Sequence, residues 1–154
     1  YQSRLPWNLP KELAHFQRVT TETKDSGKRN MVIMGRTSWE ALPVERRPLP
    51  KRLNVVLTSN KNYLASGALV ADSWEKVLGF ADETMETVFI IGGAKVCADA
   101  LERGLVDGIY LTRIEAVFSA DTFFPEISGE FIKEKMLGGG MENGINYQYC
   151  FYAK

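Results

Sequence analysis

Asn30-Met31-Val32-Ile33-Met34-Gly35-Arg36-Thr37-Ser38 is the stretch on which the fold turns. Met31 to Met34 form a short continuous apolar run, the pattern of a strand covered on both faces. Gly35 then turns the chain, and 37–42 reads as a short helix. The same strand–turn–helix grammar recurs downstream. Residues 53–58 (L-N-V-V-L-T) read as a second buried strand and 68–71 as a short third, after which Ser73 caps a helix running to 81. Residues 87–91 (T-V-F-I-I) read as another buried strand, ended by Gly92-Gly93 and followed by a helix over 94–103. Strands follow at 108–114, 131–136 and 147–152. Short apolar strands alternating with helices predict an α/β fold. Its central sheet is mostly parallel, with helices on both faces and an antiparallel C-terminal strand pair.

The 154 residues, 45% of them hydrophobic, fit one domain over 1–154. Nineteen basic and nineteen acidic residues cancel, so no nucleic-acid surface or membrane patch is expected. The absence of a long apolar run or signal-like segment predicts a cytoplasmic protein. Cys97 and Cys150 match no metal spacing and read as reduced thiols. With a single histidine, His15, neither a His-based triad nor a metal site is expected.

Ligands of such folds gather at the carboxyl ends of the strands. Three of these ends carry suitable chemistry: Gly35-Arg36-Thr37-Ser38, Thr58-Ser59-Asn60-Lys61 and Gly92-Gly93-Ala94-Lys95. Hydroxyls, cations and a glycine pair along one sheet edge suggest a phosphorylated nucleotide, although each segment alone is compatible with a plain turn or loop. G-x-G-x-x-G is absent, which argues against a standard Rossmann dehydrogenase. A further signal lies upstream. On a helix over 9–20, Leu9, Leu13, Phe16 and Val19 make an apolar stripe, and Glu12 falls on that stripe. A carboxylate among apolar groups is costly without a partner, so it marks a pocket for a hydrogen-bond donor; the alternatives are a partly exposed glutamate or a structural ion pair.

Leu5-Pro6-Trp7-Asn8-Leu9-Pro10-Lys11-Glu12-Leu13-x-x-Phe16, Val32 to Glu40 (V-I-M-G-R-T-S-W-E) and Arg47-Pro48-Leu49-Pro50-Lys51-Arg52-x-Asn54 together give the chain a resemblance to dihydrofolate reductases. It continues through Phe89 to Ala94 (F-I-I-G-G-A), Leu111-Thr112-Arg113-Ile114 and Asp121-Thr122-Phe123-Phe124-Pro125, in order and at family spacing. It implies the three-layer fold of that family and NADPH-dependent reduction of 7,8-dihydrofolate, a step of one-carbon metabolism, by a monomer open to antifolate inhibitors. By the resemblance, Glu12 holds the 2-amino group and N3 of the pterin, Thr112 fixes the carboxylate, and Trp7 reaches it through water. Leu13, Phe16, Leu42, Leu49 and Ile91 line the substrate, and Arg52 pairs with the α-carboxylate of its glutamate tail. Arg36, Thr58 and Ser59 surround the 2′-phosphate of NADPH. Ser38, Gly93, Ala94, Lys95 and Val96 hold the pyrophosphate, with Thr37 and Gly92 in the same cofactor site. A cis peptide is implied between Gly92 and Gly93.

Three departures from the family pattern stand out. Members begin with a strand and a glycine-containing loop before L-P-W, whereas Tyr1 stands just ahead of Leu5. A sheet without its middle strand would leave backbone groups unpaired, so the expectation is that further residues precede Tyr1 or that the strand is supplied in trans. Cys97 replaces the usual tyrosine, and Gly138-Gly139-Gly140 reads as a mobile turn or a seam where members carry a longer loop. A reductase of a ribosylated pyrimidine precursor of riboflavin shares the fold and NADPH; Glu12 together with Arg52 favours folate. A non-catalytic ligand-binding module is the other alternative.

Overall fold

The computed structural model describes residues 5–154. Backbone contacts divide the chain into two compact units, one of His15–Cys97 and one of Tyr1–Ala14 with Ala98–Lys154. The helices α1 (Pro10–Thr21) and α4 (Ala94–Glu102) both contain a unit boundary.

The His15–Cys97 unit holds β1 (Arg29–Gly35), α2 (Arg36–Ala41), a 3-10 turn at Val44–Arg46, β2 (Arg52–Leu57), β3 (Leu69–Ala71), α3 (Trp74–Gly79) and β4 (Met85–Gly92). The strands form one parallel sheet in the order β3-β2-β1-β4. Met31, Val32, Ile33 and Met34 of β1 are each 0% exposed, as the apolar run predicts for a strand with neighbours on both sides. Burying each such side chain contributes about 1.5–3 kcal/mol. Val32, Met34, Trp39 and Val56 form the centre of this core, with Leu42, Leu49 and Ile91 packed against it. Ser73 caps α3 by accepting the Lys76 N–H at 3.2 Å. β4 departs from expectation: Val88 to Ile91 are half-buried and Thr87 is exposed, and among the described residues β4 pairs with β1 alone.

Two buried asparagines tie this unit together. Asn30 donates to the carbonyls of Thr20 and Glu22, both at 3.0 Å, and accepts the Thr87 N–H at 3.2 Å. Asn54 accepts from Leu49 N–H and donates to the carbonyls of Leu49 and Arg52. That pattern fixes the loop that carries Leu49 and Arg52 into β2.

The other unit holds β5 (Gly108–Ile114), β6 (Lys133–Glu142) and β7 (Ile145–Ala153), an antiparallel sheet ordered β5-β7-β6. The glycine run is not a turn. Gly138, Gly139 and Gly140 lie inside β6, paired with Tyr149, Gln148 and Tyr147, after a register shift between Met136 and Gly138. A Cβ on Gly139 would sit 2.5 Å from the Tyr147 carbonyl oxygen, so the close backbone approach requires glycine there. The turn itself is Asn143-Gly144, with φ of 51° and 76°, the residue pair that favours a two-residue hairpin.

Candidate functional site

The expected site residues fall in both units. Trp7, Glu12, Leu13 and Thr112 belong to the one containing β5 to β7; Phe16, Arg52, Leu42, Leu49, Ile91 and the whole expected cofactor set belong to the other.

Glu12 lies in the first turn of α1 and Thr112 in the middle of β5. The Thr112 hydroxyl donates to Glu12 Oε1 at 3.1 Å across 100 positions of sequence, and among the described residues Oε2 has no hydrogen bond and no cation forms an ion pair with the carboxylate. Both residues are half-buried. Burial raises the Glu12 pKa above the ordinary carboxylate range, and the Thr112 hydroxyl offsets part of that rise. A half-desolvated carboxylate with one oxygen held and the other unengaged is suited to a cationic or N–H-rich partner. Trp7 packs its ring on Phe118 at 5.3 Å, while its indole nitrogen is buried with no partner among the described residues. A buried N–H of this kind is an incomplete hydrogen-bond site, the sort that water or a ligand completes. Leu9, just ahead of α1, is 3% exposed, but Leu13 is 50% exposed. Periodicity identified the apolar face of the helix without saying what covers it. A groove along β6 and β7, lined by Met136, Gly139 and Tyr147 among others, contains none of the expected residues.

Arg52 is no solvated surface arginine: it is 6% exposed. Its Nε donates to the Pro50 carbonyl at 3.0 Å and its Nη1 to the Thr20 hydroxyl at 2.8 Å; Thr20 in turn donates to the Phe16 carbonyl at 2.8 Å. Among the described residues Nη2 carries no hydrogen bond. The guanidinium is therefore locked from one side, with burial lowering its pKa, and one terminal nitrogen is left for an anion. Thr20, which sets this orientation, was not visible as a site residue in the sequence. A threonine near a helix end has no signature of a partner 32 positions away.

The order β3-β2-β1-β4 places a topological switch between β1 and β4, since the chain runs outward from β1 through β2 to β3 and returns on the other side as β4. Ligand crevices of parallel sheets open at the carboxyl ends flanking such a point. Here the ends are Gly35 and Gly92, followed by Arg36-Thr37-Ser38 and Gly93-Ala94-Lys95-Val96. Gly92 has φ 146° and is joined to Gly93 by a cis peptide; a Cβ on Gly92 would stand 3.1 Å from the Ser38 hydroxyl. A ligand at this point would meet bare backbone, a hydroxyl and the first turn of α4, whose leading N–H groups have no carbonyl within the helix to reach. This donor set fits the phosphates of a dinucleotide. Gly35 pairs with Leu57, so Arg36 and Thr58 leave adjacent strands level with each other. Thr58 accepts the Asn60 N–H, which leaves its hydroxyl proton available, and Ser59 is exposed beside it. Cys97, one turn into α4, has its thiol pKa pushed up by burial, which keeps it protonated and poorly nucleophilic.

The dihydrofolate reductase family profile matches residues 1–154. A dihydrofolate reductase of Aedes albopictus is 40% identical over 97% of this chain and 87% of its own length, and one of Drosophila melanogaster is 36% identical over the same shares. A bifunctional dihydrofolate reductase-thymidylate synthase of Arabidopsis thaliana is 39% identical over 96% of this chain, which spans 30% of that longer protein. No helix among the described residues is long and apolar enough to cross a membrane. With a topological switch between β1 and β4, a held carboxylate on α1 and homology along its length, the chain belongs to the dihydrofolate reductase family, oxidoreductases that reduce dihydrofolate with a pyridine nucleotide as hydride donor.

Proposed function

We propose that this chain reduces 7,8-dihydrofolate to 5,6,7,8-tetrahydrofolate with NADPH, acting as a monomer in the cytoplasm. The observation that carries the assignment of residues is the Thr112–Glu12 hydrogen bond at 3.1 Å, which leaves Glu12 Oε2 unengaged. The 2-amino group and N3–H of a pterin form a two-donor edge that a carboxylate accepts as a pair of charge-assisted bonds. Thr112 fixes the rotamer, so the carboxylate loses little freedom when the pterin arrives. The unpartnered indole N–H of Trp7 supports a water-mediated link to the same edge. Arg52, held by Thr20 and Pro50, presents Nη2 to the α-carboxylate of the glutamate tail. Leu13, Phe16, Leu42, Leu49 and Ile91 supply the apolar walls.

The bound dinucleotide supplies a hydride to C6 of the pterin. Arg36, Thr58 and Ser59 would hold its 2′-phosphate; Thr37, Ser38, Gly92, Gly93, Ala94, Lys95 and Val96 would form its pyrophosphate cradle. Glu12 orients the ring without donating to N5 directly; that proton comes from water. The free thiols Cys97 and Cys150 are in keeping with a reducing compartment.

The test is loss of NADPH absorbance with dihydrofolate as substrate, and its suppression by a 2,4-diaminopyrimidine antifolate. Turnover with a ribosylated pyrimidine but not with dihydrofolate would assign the site to the riboflavin-precursor reaction instead. NADPH binding with no turnover of either would make the chain a non-catalytic binding module.

A further inference from the structure

Arg36, the expected 2′-phosphate cation, has an acidic neighbour. Its Nε donates to Glu40 Oε1 at 2.9 Å, one helical turn along α2. A carboxylate at that distance would be expected to neutralise the cation and repel a phosphate. The geometry argues otherwise. Glu40 accepts from the Nε edge of the guanidinium, the Tyr63 phenol lies close by, and among the described residues neither Nη atom makes a hydrogen bond. Tyr63 completes the arrangement. Its ring lies under the guanidinium with 4.9 Å between Arg36 Cζ and the ring centroid, and its hydroxyl donates to the same Glu40 Oε1 at 3.1 Å. Arg36, Glu40 and Tyr63 form a closed triangle in which the guanidinium is fixed in its plane by Glu40 and across its face by Tyr63. Nearby Arg47, stacked over Trp39 with 5.5 Å to the ring centroid, adds a second positive charge near Glu40 and dilutes its negative field.

We propose that Glu40 and Tyr63 are positioning residues that pre-orient the Nη fork of Arg36 for the 2′-phosphate of the dinucleotide, and so set selectivity for phosphorylated over unphosphorylated adenosine. The inference rests on the NADPH reading given above. An exposed arginine without this brace would lose rotamer freedom on binding, a cost that the triangle removes beforehand. A bidentate phosphate contact needs the two Nη nitrogens together, which is the edge left open. Thr58, level with Arg36 at the end of the adjacent strand, lies on the same side of the sheet edge as a second donor.

The experiment is calorimetric titration of the full chain with adenosine 2′,5′-bisphosphate and, separately, with adenosine 5′-monophosphate. The wild type is expected to prefer the bisphosphate. Glu40→Ala should weaken bisphosphate binding about three- to tenfold, the cost of ordering one freed side chain, and leave the monophosphate unchanged. Glu40→Gln keeps an acceptor for Nε and for the Tyr63 hydroxyl, so it should restore bisphosphate binding to the wild-type level or above. Tyr63→Phe, which keeps the stack and loses the hydroxyl, should fall between the wild type and Glu40→Ala. Bisphosphate binding by Glu40→Ala equal to or tighter than wild type would overturn the proposal, as would Glu40→Gln weakening as much as Glu40→Ala. A wild type that does not distinguish the two nucleotides would instead remove the 2′-phosphate reading itself, and the bracing role with it.

Discussion

Glu12 and Glu40 carry the same carboxylate on two helices, α1 and the shorter α2, and their surroundings drive them in opposite directions. Glu12 is half-buried, holds one hydroxyl donor and no cation among the described residues, and its pKa is raised. Glu40 stands in solvent with a guanidinium and a phenol on one oxygen, and its pKa is lowered. Desolvation dominates in the first case and pairing in the second. The arginines show the same division. Arg52 is buried, locked by neutral oxygens and lowered in pKa by desolvation; Arg36 is exposed, paired with a carboxylate and raised. Of the two carboxylates, the unsatisfied Glu12 is the one expected to meet donors on the ligand, and the satisfied Glu40 is better suited to shaping a neighbour; each arginine keeps terminal nitrogen free for an anion.

The sharpest way to break this contrast is Glu12→Gln. If Glu12 holds the pterin edge as an acceptor pair, replacing one oxygen by an N–H₂ group turns an attraction into a clash of donors. Hydride transfer to dihydrofolate near neutral pH should fall by about 10²- to 10⁴-fold, with the circular dichroism spectrum unchanged. Near-normal single-turnover rates would remove Glu12 from the mechanism. Arg52→Lys comes next. A lysine cannot reproduce bonds to Pro50, Thr20 and a carboxylate together, so the KM for dihydrofolate should rise roughly ten- to a hundredfold. A pterin substrate lacking the glutamate tail should not register the change, and equal losses with both substrates would assign Arg52 to structure alone. Thr112→Val removes the one donor that lowers the Glu12 pKa. Its titration, followed by carboxyl carbon NMR, should move further upward, and kcat/KM should drop about tenfold. An unmoved titration would mean that Thr112 is an ordinary strand residue.

The parallel sheet was legible because buried strands announce themselves by continuous apolar runs, as Met31 to Met34 do. Glu12 was legible because a charge on an apolar stripe breaks a local rule. Contacts that join distant segments left no such trace: nothing in Thr20 points to Arg52, nothing in Asn30 to Thr87, and nothing in Tyr63 to Glu40. The Arg36–Glu40 spacing is the exception, since an i,i+4 pair can be read directly from a helix. At the C-terminus composition misled. Three glycines suggest a loop, yet the stronger local signal was Asn143-Gly144, which fixes the hairpin register and forces Gly138 to Gly140 into β6 beside Tyr147 and Gln148. For β4 the apolar run identified the strand, while its half-burial among the described residues reflects how many strands flank it there, which the run does not encode.

The smallest expected effect tests the contrast most directly, because it changes sign between the two sites. The folded-state pKa of Glu12 is raised from 4.5, so its favourable contribution to stability is complete below that value and is lost as pH rises through the folded pKa. At neutral pH Glu12 is a net liability to the fold, and Glu12→Gln, the least active variant, should melt slightly above the wild type. Glu40 runs the other way. Its folded pKa lies below 4.5, so its contribution is present above 4.5 and disappears as pH falls through the folded pKa. Glu40→Gln should therefore melt slightly below the wild type at neutral pH. Both differences should be at most a few degrees and should close together on acidification, Glu12→Gln from above and Glu40→Gln from below. Added salt should shrink the Glu40 difference first, since an exposed ion pair is screened while a desolvation penalty is not. Melting curves for the three proteins across pH 3 to 8 decide the matter. Shifts of the same sign would mean that burial and pairing do not divide the two carboxylates in this way, and that Glu12 is held by something other than the Thr112 hydroxyl.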